Sequence, residues 1–213
     1  TNRLILEQTA GQFQDADSSG GITIVLYDLS DEFGKGANDT NASLFVHGYS
    51  YFNQAIGYEN NGDILFLDVN PQSWEHVENY KSSLKNAYVH EYSKILMEQN
   101  EPGEEIWLKE GLAYSLQEKI LDDVKFFGNN TIPSVRAGNQ LTYISNSLKN
   151  REDQWNAYLF LTYLREKTTG SSLDGWDIIT TISQDSINIG IASIDSALSY
   201  YSIDEISIEK LFL

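Results

Sequence analysis

The 213-residue sequence contains no cysteine, which excludes disulfide bonds, thiolate metal sites and thiol nucleophiles. No apolar run approaches the roughly 20 residues that a membrane-spanning helix requires, so we predict no membrane insertion. Positive charge is also scarce, because 14 Lys and Arg stand against 31 Asp and Glu and leave a formal net charge of −17. Such a surface repels nucleic-acid phosphates and anionic lipids. We therefore predict no nucleic-acid partner and interpret the acidity as a source of solubility.

The apolar content is that of a folded protein, with 41% hydrophobic and 12% aromatic residues. Apolar, β-branched stretches predict strands at 21–28, 44–49 and 63–69. Longer stretches predict helices at 73–99, with a break or bend near its middle, and at 105–119 and 152–168; shorter helices are predicted at 173–183, 190–199 and 207–213. This order indicates an α+β fold in a single domain over 1–213, with a small mixed sheet within 1–72 and a mainly helical part over 73–213.

Residues 1–21 are mostly polar and end in an acidic stretch that contains glycine. Asp15 and Asp17, followed by glycine, have the spacing that opens a calcium-binding loop, whose twelfth position must be an acid. Here that position is Leu26. We predict a turn that leads into the first strand, with calcium at Asp15 and Asp17 as the alternative.

Two short motifs carry the candidate chemistry. The first is HEYSK at 90–94, and the second is WLKEGLA at 107–113, which contains Glu110. In an H-E-x-x-H helix two histidines four residues apart hold a metal ion on one face, and the glutamate between them activates the metal-bound water. This sequence has His90 and Glu91 in that pattern, and Lys94 where the second histidine would be.

These motifs resemble the two active-site helices of the glutamate zincins (gluzincins), and the chain from the third strand onward resembles the hyicolysin-type bacterial secreted metallopeptidases. Further matching pieces are Gly48-Tyr49, the stretch ILFLD at 64–68 and the helical tail from Tyr158. The resemblance implies a zincin-like fold, a zinc ion, peptide-bond hydrolysis and a secreted or cell-surface location. It also implies that His90 and Glu110 are the first and third zinc ligands and that Glu91 is the general base.

Lys94 breaks the ligand set that the resemblance implies. A lysine coordinates zinc only as a neutral amine, which is a minor form at neutral pH. Its ammonium group, within reach of Glu91 and Glu110, would instead replace the charge of the metal. We predict a closed polar network of His90, Glu91, Lys94 and Glu110 without zinc. The domain would be catalytically inactive and kept for binding a peptide or protein ligand, along an edge strand at 63–69.

Three alternatives stay open. The chain could be an active secreted zinc metalloendopeptidase that uses His90, Glu110 and an unusual further ligand, for which His47 and His76 are the candidates. Lys94 could be a change introduced at a natural histidine. The domain could also be structural or adhesive, with an accidental resemblance. Tyr114 is a candidate substrate-binding donor, although its place on an apolar helix face favours the core.

Overall fold

The computed structural model describes residues 2–15, 18–27, 48–51, 63–68, 77–122, 151–170 and 174–203. Their elements in chain order are α1 (Asn2–Ala10), β1 (Thr23–Tyr27), β2 (Gly48–Tyr51), β3 (Ile64–Asp68), α2 (Val77–Asn100), α3 (Ile106–Leu121), α4 (Arg151–Thr168), α5 (Gly175–Ile182) and α6 (Ile191–Tyr200). None of the helices within these ranges combines the length and apolar character needed to cross a membrane.

The three described strands form a mixed sheet in the order β1-β3-β2. β3 pairs in parallel with β1, with Ile64 opposite Thr23, and antiparallel with β2, with Ile64 opposite Tyr51. The predicted mixed sheet is confirmed, but the prediction that 63–69 is an edge strand was wrong. The uninterrupted apolar middle of β3 is typical of a central strand, and Leu65 and Leu67 are buried in the core.

Helix α1 was not predicted, because residues 1–21 were interpreted as a polar approach to the sheet. Its buried stripe is narrow: Leu6 and Ala10 lie four residues apart and are fully buried, with Thr9 beside them. The helix packs against α2, α3 and α5. A helix this short is marginal in isolation, so tertiary packing and not local propensity stabilises it.

Helix α3 lies in the middle of the helical part, between α2 and α4. Nearly every residue from Trp107 to Gln117 is buried, whereas a surface helix buries a single stripe. At Gly111 the contact with α4 is close, because a Cβ added there would lie 3.1 Å from the backbone carbonyl carbon of Ala157. The glycine of the WLKEGLA motif therefore permits this helix pair to approach.

The other sequence-based helices agree with the structure within a few residues. Helix α2 is continuous from Val77 to Asn100, so the expected break was wrong, and the bend given as its alternative stays a prediction. Its predicted start before residue 77, the strand segment at 44–47 and the helix at 207–213 lie outside the described residues. The observed combination of a small mixed sheet with six helices in the described part is an α+β arrangement.

Candidate functional site

The candidate site lies between α2 and α3, which pack against each other. His90 and Lys94 are one helical turn apart on α2, so they occupy the same side of that helix. Glu110 lies in the first half of α3 and meets them from the opposite side. The sequence separates these groups by up to 20 residues, and the turn at 101–105 brings them together.

Glu110 is the centre of the network, because each of its carboxylate oxygens has a separate partner. Oε1 lies 2.9 Å from Lys94 Nζ, and Oε2 lies 3.0 Å from His90 Nε2. Lys94 Nζ also lies 3.5 Å from Oε2 of Glu91. The structure thus brings together all four side chains that the sequence analysis grouped, with Lys94 between the two carboxylates.

The network is buried except at the lysine. His90, Glu91 and Glu110 expose 4%, 6% and 8% of their surface, whereas 29% of the Lys94 side chain is exposed. Two buried carboxylates in one site would be costly to desolvate without a nearby cation. The ammonium group supplies that cation and keeps one side in contact with water.

Burial by itself opposes charge on both Lys94 and Glu110, but the attraction between them outweighs it. For Lys94, burial lowers the pKa, while Glu110 and Glu91 raise it, and the net pKa lies well above that of an ordinary lysine. For Glu110, burial raises the pKa, while Lys94 and His90 lower it, and the net pKa lies well below the ordinary value. Both groups are therefore ionised at neutral pH.

An ionised Glu110 can only accept hydrogen bonds, so the nitrogen of His90 that faces it must donate. His90 Nε2 thus carries a hydrogen in this arrangement and has no lone pair to offer a metal ion. The ring of Tyr114 packs against the imidazole, with the two ring centroids 4.4 Å apart.

Tyr114 belongs to the core, with 5% of its surface exposed. Its hydroxyl donates to Gln154 Oε1 of α4 at 3.3 Å. The sequence analysis did not include Gln154. Gln154, Tyr158 and Arg165 share one face of α4, and the last two bind Glu118 of α3. These three polar residues at helical spacing could have been recognised in the sequence, and they would have indicated that α4 contacts the site.

The described residues do not fit a zinc ion held by two histidines and a glutamate. One of the three ligand positions is an ammonium group, and its partner Glu110 already contacts it at 2.9 Å. Within the part of the chain that the structure describes, no three His, Asp or Glu side chains form a group able to hold a metal ion. His47 and His76, the candidate substitute ligands, lie outside the described residues.

Asp15 has a structural role in the acidic turn before the first strand. One oxygen of its carboxylate accepts from the backbone N–H of Ser19 at 3.0 Å and the other from Gly20 at 2.7 Å. Asp15 therefore closes the turn that leads toward β1, as predicted. Asp17, the second proposed calcium ligand, lies outside the described residues.

No protein-family model matches the chain. A comparison with curated proteins finds the neutral metalloprotease ShpI of Staphylococcus hyicus, which is 24% identical over 197 residues. The match covers 86% of this chain and 43% of the relative, so the chain spans less than half the length of the protein that it matches. This match supports a distant relationship to a metallopeptidase and nothing finer.

Proposed function

We propose that this chain is a metallopeptidase-like domain of the gluzincin type in which the Lys94 ammonium takes the place of the catalytic cation. In this proposal the domain does not hydrolyse peptides and keeps a role in binding a peptide or protein ligand. A zincin-like fold, a relationship to the hyicolysin type and a secreted or cell-surface location belong to the same proposal.

The observation that carries the proposal is the position of Lys94 Nζ, 2.9 Å from Glu110 and 3.5 Å from Glu91. In an active site of this type, Glu110 would hold the metal ion and Glu91 would activate water. Here both carboxylates neutralise a lysine. A divalent ion in the same space would have to displace the ammonium and remove the hydrogen from His90 Nε2.

The binding role needs a surface other than β3, because β3 has hydrogen-bonded neighbours on both sides. β2 lies at one edge of the described sheet and contacts α2, the helix that carries His90 and Lys94. An extended peptide that paired with β2 would lie along a strand that packs on the helix carrying the network, in the manner of strand addition to a sheet edge.

Metal analysis of the purified protein tests the proposal directly. The natural chain should contain no stoichiometric zinc after dialysis against zinc, and it should not cleave an unstructured protein substrate. Lys94→His should gain zinc affinity, because it adds an imidazole to His90 and Glu110 at the required spacing. Lys85→His is the matched control, since Lys85 is an exposed lysine on the same helix and should bring no gain.

Two results would overturn the proposal. The first is tightly held zinc in the natural chain together with chelator-sensitive cleavage that Glu91→Gln abolishes, which would indicate an active peptidase. The second is a folded Lys94→His variant with no more zinc affinity than Lys85→His. That outcome would mean that the remaining residues do not form a vestigial metal site.

A further inference from the structure

The buried carboxylate of Glu104 links the turn between α2 and α3 to the end of the loop between α5 and α6 and to the first turn of α6. Glu104 Oε1 accepts from the backbone N–H of Gly190 at 2.6 Å and from that of Glu105 at 2.6 Å. Its Oε2 accepts from the Ser193 hydroxyl at 2.9 Å. We refer to residues 101–105 together with the 183–190 loop as the corner.

A second carboxyl group in the corner has no such partners. Glu101 exposes 4% of its surface, and both of its carboxyl oxygens are buried without a hydrogen-bond donor. The acidic groups that act on it are Glu104 in the same turn and Asp185 in the loop. The nearby cation, Lys109 of α3, donates to Glu98 of α2.

An ionised carboxylate in this position would be costly, because burial removes its hydration and no described residue donates a hydrogen bond to it. A metal ion could neutralise it only with further ligands, and no three acidic or histidine side chains among the described residues form a metal-binding group. A proton neutralises the Glu101 carboxylate without any further ligand.

We propose that the corner is a proton-dependent latch, in which the 183–190 loop stays docked on Glu104 while the Glu101 carboxyl is neutral and is released when Glu101 ionises. Ionisation would place a negative charge in the buried turn, beside the carboxyl group of Glu104 and near Asp185. Moving the loop away from Glu104 admits water to these carboxylates and relieves the repulsion.

The pKa shifts of Glu101 and Asp185 have the directions that this geometry requires. Burial, reinforced by Glu104 and Asp185 and opposed by Lys109, raises the pKa of Glu101 to about 8. For Asp185, burial raises the pKa, but hydrogen bonds from Asn188 and Ile187 outweigh it and lower the pKa, so Asp185 stays charged at neutral pH. The ordinary glutamate pKa is about 4.3 and that of Glu101 in the closed corner is about 8. At a pH between these two values, Glu101 therefore carries a proton in the closed corner and releases it when the corner opens.

Hydrogen exchange of the Gly190 amide, measured from pH 5 to pH 9, tests the latch in the full chain. After correction for intrinsic exchange, the opening constant of the natural protein should rise by up to tenfold per pH unit toward pH 8 and then level off. In Glu101→Gln, which mimics the neutral acid, it should stay flat. Glu166→Gln, at an exposed glutamate of α4, is the matched control and should follow the natural protein. Parallel profiles for Glu101→Gln and the natural protein would overturn the proposal.

Two measurements on the natural protein keep the test decisive if Glu101→Gln does not fold. Infrared spectra at pH 6.5 should contain the C=O band of a protonated buried carboxyl, and the band should disappear by pH 9. Its absence at pH 6.5 would contradict the latch. Calcium chloride at pH 9 should not restore the protection of Gly190; restoration would show that a cation, not a proton, closes the corner.

Discussion

Lys94 provides the positive charge that makes the burial of two neighbouring carboxylates less unfavourable. Buried ion pairs contribute little net stability compared with well-packed apolar residues, because desolvation opposes their attraction. Removing one member is different, since the remaining charges stay buried without a partner. For Glu91 and Glu110, which expose 6% and 8% of their surface, the lysine is the cation that both contact.

We expect Lys94→Met to lower the free energy of unfolding by about 3 kcal/mol at neutral pH, near the lower end of the range for breaking a buried pair. The lower end applies because 29% of the lysine side chain is exposed. Urea denaturation monitored by circular dichroism measures the change. Lys85→Met on the exposed face of α2 should stay within about 0.5 kcal/mol of the natural protein. Equal losses in the two variants would mean that Lys94 does not neutralise the carboxylates.

At the scale of single residues, the sequence was most informative where local spacing sets the geometry. The separation of four residues predicts that His90 and Lys94 share a side of α2, and the resemblance supplied Glu110 as the group opposite them. The sequence did not predict Gln154 or the unpartnered carboxyl of Glu101. Gln154 contacts Tyr114 of α3, and Glu101 lies near Asp185 of the loop after α5. The polar residues on one face of α4 indicate that the helix has a polar partner, but no local pattern says which distant residue provides it.

Helices α3 and α4 lie close together at Gly111, one residue from Glu110. A Cβ at Gly111 would meet the backbone and Cβ of Ala157 and a methyl group of Leu161, each at 3.1 Å. Because α3 carries both Glu110 and Tyr114, the spacing of this helix pair also sets the position of the network relative to α2.

Gly111→Ala should therefore destabilise the protein, although alanine is the better helix former. The gain in helix propensity is about 1 kcal/mol, whereas crowding in a packed core costs about 1–3 kcal/mol. We expect a net loss of about 1 kcal/mol in urea denaturation. Gly170→Ala is the control, since no atom of the described residues lies within 4 Å of the added Cβ there, and it should be close to neutral. A stabilised Gly111→Ala variant would show that α4 moves aside without cost.

The sequence predicted well those elements whose secondary structure is determined by their own hydrophobic pattern. Helices α3 and α4 have long apolar or amphipathic stretches with clear ends, and they match within about two residues at each end. Helix α1 has only Leu6, Thr9 and Ala10 as its buried stripe, so its helicity depends on partners far along the chain. The place of β3 in the sheet likewise depends on strand pairing, which its composition indicates only through the uninterrupted apolar run.

The whole molecule has an excess of negative charge, with 31 acidic against 14 basic residues. Mutual repulsion at net charge −17 favours expanded states when screening is weak. The described ion pairs join only a few of these acids to cations, so repulsion should exceed attraction over the surface.

Raising the ionic strength from about 0.01 M to about 0.15 M shortens the screening length from about 30 Å to about 8 Å. We expect the melting temperature to increase by about 2–4 °C, equivalent to about 1 kcal/mol for a chain of this size. Differential scanning calorimetry in NaCl and in KCl at neutral pH measures the shift, and the two salts should agree. A decrease with added salt would mean that attractive ion pairs dominate the surface.

The contact between Lys94 and Glu110 has a consequence for how this chain reaches its final state in a cell. A domain whose inner acids require an imported ion cannot finish folding until that ion has been captured, and its yield depends on what the surroundings provide. Here the positive charge belongs to Lys94, which is part of the chain and lies on α2 itself. In the metal-free site that we propose, helices α2 and α3 should therefore assemble at the same rate in surroundings rich or poor in transition metals.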